Sequence, residues 1–148
     1  MAVRKALVLV GGEIQQLQAA DSLGGPVAEV AMLTLTNDDS GNHVLGDVVY
    51  IDAADGVKKA KADAAATAKA FAFATATITN GATGSYQTDG ILAGLTGLTA
   101  GAAYYLSATT AGAMTSTAPS TVGQYVTRLG RAISTTEFEI SIEREILL

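Results

Sequence analysis

Apolar residues along this chain recur in short runs with a two-residue period, separated by clusters rich in Gly, Asn, Asp, Thr and Ser. That period sends alternate side chains to opposite faces of a strand. The first aliphatic run, 5–10, stops at Gly11-Gly12 and resumes over 13–17, which predicts a hairpin about the glycine pair. Leu7 and Leu9 alternate with Val8 and Val10, so a strand here is apolar on both faces. A strand-like run over 26–36 follows Gly24-Gly25, and the polar cluster 37–42 predicts a loop. Residues 46–51 predict a strand closed by a turn over 52–56.

Residues 58–79 carry two signals. Ala is the best helix former, so propensity alone permits a helix, and a short one over 63–69 remains an alternative. From Lys69 onward the period argues for a strand. Phe71, Phe73, Thr75, Thr77 and Thr79 fall on one side of an alternation, and Ala70, Ala72, Ala74, Ala76 and Ile78 on the other. Phe71 and Phe73 then point the same way. β-Branched Thr also suits a pleated surface better than a helix.

Beyond residue 80, turn signals at 80–81, 83–84, 94–101, 111–112, 119–123 and 134–136 separate extended runs over 85–92, 102–109, 113–117 and 125–133. In the last run, 137–148, Phe138, Ile140, Ile142 and Arg144 alternate with Glu137, Glu139, Ser141, Glu143 and Glu145. One face is mostly apolar and the other acidic, as in a strand with one solvated face. Turn signals this closely spaced predict an all-β fold: an antiparallel β-sandwich or small barrel with an N-terminal strand or hairpin arm. The expected division is 1–44, the arm and first strands serving as anchor, and 45–148, a β-rich module.

Composition narrows the partners. Charged residues make up 16%, below the roughly 25% of an average soluble domain, and much of the apolar content is small Ala. Burial against further copies would add the hydrophobic surface that such a composition lacks. A net charge of −5 argues against a nucleic-acid partner, which needs a basic face. There is no Cys, hence no disulfide framework or thiolate chemistry. No run of about 18 apolar residues is present, so no membrane partner is expected. The run 6–10 is too short for the core of a signal peptide, and the start is taken as mature protein.

The residues that could carry chemistry point elsewhere. His43 is the only histidine and lies in a polar loop, where a surface or interface place is expected. A triad with Asp38, Asp39 or Asp47 lacks a Gly-x-Ser-x-Gly elbow. One His and no Cys exclude the usual zinc set. Asn37, Asp38, Asp39 and Asn42 could offer oxygens to calcium, but they lack the EF-hand spacing, and turn hydrogen bonds are the expected use. On a strand, Glu137, Glu139, Glu143 and Glu145 share a face with neighbours about 7 Å apart. That spacing is conceivable for a glycosidase pair, but a solvated face is the expectation. Lys58, Lys59, Lys61 and Lys69 form the one basic cluster, read as a solvated edge or an ion-pair contact to an acidic shell. Gly11-Gly12 and Gly24-Gly25 are not followed by the Gly-Lys-Ser/Thr of a phosphate loop. No catalytic residue, metal ligand or cofactor is expected, and the chain is expected not to be an enzyme.

The C-terminal half carries a more specific pattern: Gly97, Leu98, Gly101, Tyr104, Tyr105, Leu106 and Ser107, then Gly112, Pro119-Ser120, Gly123, Val126, Gly130 and Ala132 before a final strand. With the preceding VVYIDAADGVKKAKAD, this resembles a β-domain of tailed-phage and prophage virion proteins, found in head decoration (cement) proteins and in fibre or spike tips. The resemblance spans roughly residues 45–148. It implies a structural protein on the capsid surface of a virion. A homotrimer would bridge major capsid protein subunits, with a receptor- or glycan-binding fibre or spike tip as the alternative. The short chain, without a long shaft, favours decoration. Capsid or inter-subunit contacts are then expected at Arg4, Leu7, Leu9, Ile14 and Leu17 of the arm, and at Ile146, Leu147 and Leu148. Burying the last three side chains is worth about 1.5–3 kcal/mol each.

Overall fold

Leu7–Val10 (β1) pairs antiparallel with Glu13–Gln16 (β2), and Val10 stands opposite Glu13. In this computed structural model the described residues are 31–148 together with these two strands. The part of the expected 26–36 strand that precedes residue 31 lies outside them.

Five strands then close a barrel. They are Met32–Asn37 (β3), Val48–Ala53 (β4), Gly56–Lys59 (β5), Ala72–Ala74 (β6) and Thr83–Gln87 (β7), in the order β3-β5-β4-β6-β7. Neighbours are antiparallel except at the seam, where β3 and β5 run parallel through Thr36↔Gly56 and Asn37↔Val57. The tight β4–β5 turn places Asp55 at φ 58°, a conformation that aspartate tolerates better than most residues. Gly56 follows, and a Cβ there would overlap the Asp38 carboxylate lying on its backbone.

The second half adds Gly90–Ala93 (β8), Ala103–Leu106 (β9), Met114–Thr115 (β10), Tyr125–Val126 (β11), Arg128–Ala132 (β12), Glu137–Ile140 (β13) and Ile146–Leu147 (β14). Five of these form a sheet in the order β10-β9-β12-β13-β8, and β11 pairs with β14. The fold is therefore all-β, a small closed barrel joined to an antiparallel sheet, with no helix among the described residues.

Burial explains the join. Leu35, Val49, Val57, Ala72, Ala74, Ile78 and Tyr86 form one apolar cluster, to which the barrel strands β3 to β7 all contribute. Val48 and Phe73, the immediate neighbours of Val49 and of Ala72 and Ala74, belong instead to a larger cluster with Leu92, Leu106, Leu129, Phe138 and Ile140 of the sheet. β6 and the Val48-Val49 start of β4 are thus buried on both faces, whereas β4 opens to solvent from Ile51 onward. In β6 the small Ala side chains face one cluster and Phe73 faces the other. Phe73 lies 5.6 Å from Phe138, which meets Tyr104 edge-on at 5.9 Å, ring centre to ring centre. Offset and edge-on contacts of this kind add to the area that aromatic rings bury.

Several expectations need correction. The strand from residue 69 onward reduces to three residues. Phe73 packs in the larger cluster, but Phe71, which precedes β6, packs against the smaller one, so the two rings do not share surroundings. Thr75, Thr77 and Thr79 fall outside any strand, and Thr75 Oγ1 instead donates to the Ser85 carbonyl (2.8 Å). Residues 63–69 form turns, not a helix; Thr67 Oγ1 donates to the carbonyl of Lys61 (2.8 Å), a bond outside any helical pattern. The final run 137–148 is broken into β13 and β14, and 125–133 into β11 and β12.

Candidate interaction surfaces

Of the eight expected contact residues, three are placed in full. Ile146 and Leu147 form β14 opposite Val126 and Tyr125, and the pairing continues through Leu148 N–H to Gln124 O (3.0 Å) and Gly123 N–H to Leu148 O (3.1 Å). The backbone of this segment is satisfied while its side chains are bare: Ile146 is 64% exposed, Leu147 59% and Leu148 41%. Val122, 88% exposed and one residue before the Gly123 bond, extends the apolar surface. Scattered exposed apolar residues are ordinary, but a contiguous group marks an interaction surface. Leu7 and Leu9 lie on β1 and Ile14 on β2. Arg4 and Leu17 lie outside the described residues.

His43 is not a surface residue. It is fully buried, with Nδ1 2.8 Å from the Tyr86 hydroxyl and Nε2 3.1 Å from Asp39 Oδ2. Its backbone bridges to Ile78, which brings the loop across to residue 78. Burial, followed by the nearby charges of Asp39, Asp47 and Asp38, pushes the Tyr86 phenol up to about 12. The phenol therefore keeps its proton at neutral pH, with its hydroxyl at hydrogen-bond distance from Nδ1 while Nε2 faces the carboxylate. Asp39 Oδ2 also accepts the Lys59 N–H (2.7 Å), and the Asn80 side-chain amide donates to the Asp39 carbonyl. Carboxylate, imidazole and hydroxyl stand in line, but His43 and Tyr86 are shut off from solvent, so no substrate reaches the hydroxyl. The line braces the barrel. A lone His between Asn42 and Val44 gave no sign of this, because its partner lies 43 residues away.

The other polar groups of this region are engaged within the chain. Asn37 Oδ1 accepts the Asp39 N–H (2.9 Å) and its amide donates to Gly41 O, the work of a turn, while a second amide bond to Ile78 O ties that turn across the barrel. Asn42 Oδ1 accepts the Asn80 N–H. Lys58 pairs with Asp52 (2.5 Å), Lys59 with Asp47 (3.0 Å) and Lys61 with Asp63 (2.7 Å). The hydrogen bond between Lys58 and Asp52 raises the amine and lowers the carboxyl from their ordinary values. The four glutamates do not share a face: Glu137 and Glu139 lie on the exposed side of β13, whereas Glu143 follows the strand and pairs with Arg128 (2.5 Å).

Two of the open grooves on the surface of the described residues stand out. One, of ≈ 510 Å³, runs between Ile51, residues 69–71 and residues 142–145. The other, of ≈ 310 Å³, is lined largely by hydroxyls, among them Ser107, Thr109, Thr115 and Thr117, with Gln124 at one side. In comparisons with known proteins the chain matches no family model, no curated protein and no solved structure.

Proposed function

We propose that this protein is a structural component of a phage virion, a head decoration protein that stabilises the shell by non-covalent bridging of major capsid protein subunits. The resemblance over residues 45–148 supplies the setting. The observation that carries the reading is the bare apolar segment Ile146-Leu147-Leu148, held in place by satisfied backbone bonds to 123–126. A surface of that kind gains free energy when covered by a neighbour. A protein seated across several shell subunits buries area that is lost when the shell opens, so it stabilises the closed state by linkage. The N-terminal segment, 2–23, is the attachment element and grips the shell or a neighbouring protomer. A homotrimer suits a three-fold site.

The test is binding of purified protein to particles that lack it. The full chain binds and raises the temperature at which the particles release their contents. A chain without residues 2–23 remains folded but no longer binds. Full binding by the truncated chain contradicts the assignment. The second reading is a fibre or spike tip that binds a receptor or glycan. The hydroxyl-lined groove favours it, because such side chains can exchange hydrogen bonds with sugar hydroxyls.

A further inference from the structure

Among the described residues, strand β3 is complete along one edge only. Leu33 and Leu35 stand opposite Tyr86 and Gly84, and the bonds Thr88 N–H to Ala31 O and Asn37 N–H to Ala82 O lie on the same side. The odd-numbered residues therefore turn their backbone groups toward β7, and Met32, Thr34 and Thr36 turn theirs the other way. Thr36 finds a partner there, the Asp55 carbonyl at 2.7 Å. The parallel ladder to β5 covers Thr36 and Asn37 and ends where the β4–β5 turn begins. Met32 and Thr34 extend past that turn, and their outward N–H and C=O meet no backbone partner among the described residues. The side chains are uncovered at the same place. Met32 is 46% exposed, and Leu33, on the same face of β3 as buried Leu35, is 42% exposed. Backbone groups without a partner among the described residues, beside bare apolar side chains, make a template for an added strand.

The chain holds a strand of matching character. β1 reads Leu-Val-Leu-Val, apolar on both faces, and among the described residues it is paired only with β2. A two-stranded hairpin is marginal in water and needs a further surface. Fifteen residues, 17–31, separate β2 from β3. Hairpin neighbours within a sheet are usually joined by about 2–5. At about 3.3 Å per residue the connection reaches up to roughly 50 Å, enough to cross to an adjacent molecule.

We propose that β1 of one copy adds to the open edge of β3 in a second copy, so that the N-terminal hairpin links protomers. This rests on the reading of the protein as a multi-copy component and narrows the hairpin's target to a neighbouring protomer. Thr34→Pro in the full-length chain removes the N–H that a docked strand needs and leaves the β7 ladder intact, because that N–H points away from β7. The mass by light scattering is expected to fall from a multiple of 14.9 kDa to 14.9 kDa, with the circular dichroism of a folded barrel. A folded variant that keeps the multiple overturns the proposal.

A second readout does not depend on that variant folding. The chain lacks Cys, so Met32→Cys in one preparation and Val8→Cys or Leu9→Cys in another can be mixed and oxidised. A covalent dimer is expected. Absence of any cross-link overturns the proposal, as does a disulfide that forms only within one chain carrying both substitutions. Binding of the unmodified protein to particles is measured in parallel. Binding without a cross-link removes this inference and leaves the proposed function, whereas a cross-link without binding does the reverse.

Discussion

Tyr86 is the residue on which the interior of the barrel turns. Burial of its hydroxyl, followed by the charges of Asp39, Asp47 and Asp38, holds the phenol at about 12 in the folded protein, against about 10 in an unfolded chain. The folded state thus retains a proton that the unfolded chain releases between these values. The associated stability is present below pH 10 and is lost as pH rises from 10 to 12. Its size is on the order of 2–3 kcal/mol at about 1.36 kcal/mol per unit. Tyr86→Phe should remove this decline while leaving the buried His43 Nδ1 without its hydrogen-bond partner, at a cost of about 1–3 kcal/mol at pH 7. Urea denaturation of both proteins at pH 7, 10 and 12 measures the two effects. Equal slopes with pH contradict the assignment. None of this was legible from sequence, because the loop's own residues say only that a turn is present. The contact that buries His43 is made by a side chain far along the chain.

At the scale of elements, β12 shows how a single glycine sets a register. Between Arg128 and Gly130 the pairing with β9 shifts, and Gly130 has φ 148°, with its backbone pressed against the Glu139 carbonyl. A Cβ there overlaps backbone that cannot move without breaking the β12–β13 ladder. Gly130→Ala is therefore expected to cost at least about 3 kcal/mol or to prevent folding. Gly97→Ala, at φ 74° in open space, is expected to cost about 1–2 kcal/mol. Thermal denaturation of the pair checks this, and equal losses would contradict it. Alternation was a sound guide in β13, where Phe138 and Ile140 are buried and Glu137 and Glu139 are exposed, because one face meets water. It misled around residues 69–79. There both faces of β6 are buried, and the chain leaves the sheet at Thr75 to satisfy its hydroxyl on Ser85. The parallel β3–β5 seam had no signal at all, since parallel pairing is fixed by closure of the barrel and not by a local turn.

For the molecule as a whole, the all-β class followed from the even spacing of turn residues. The joining of barrel to sheet depends on which neighbour in a fully apolar run faces which layer, and that is decided only in three dimensions. Residues 146–148 combine a fixed backbone with bare side chains. The double variant Ile146→Asp, Leu147→Asp should therefore leave folding stability within about 0.5 kcal/mol, as for exposed positions generally. It should weaken association or particle binding at least tenfold. Light scattering and a particle-binding titration measure this, and unchanged binding would show that the apolar segment is not a contact. The central claim, that the protein coats a shell, is tested most directly by its copy number in purified source particles, determined by quantitative mass spectrometry against the major capsid protein. The account predicts copies on the order of hundreds per particle, in fixed proportion to the shell subunits, as symmetric coverage requires. A few copies per particle, or none, would contradict it.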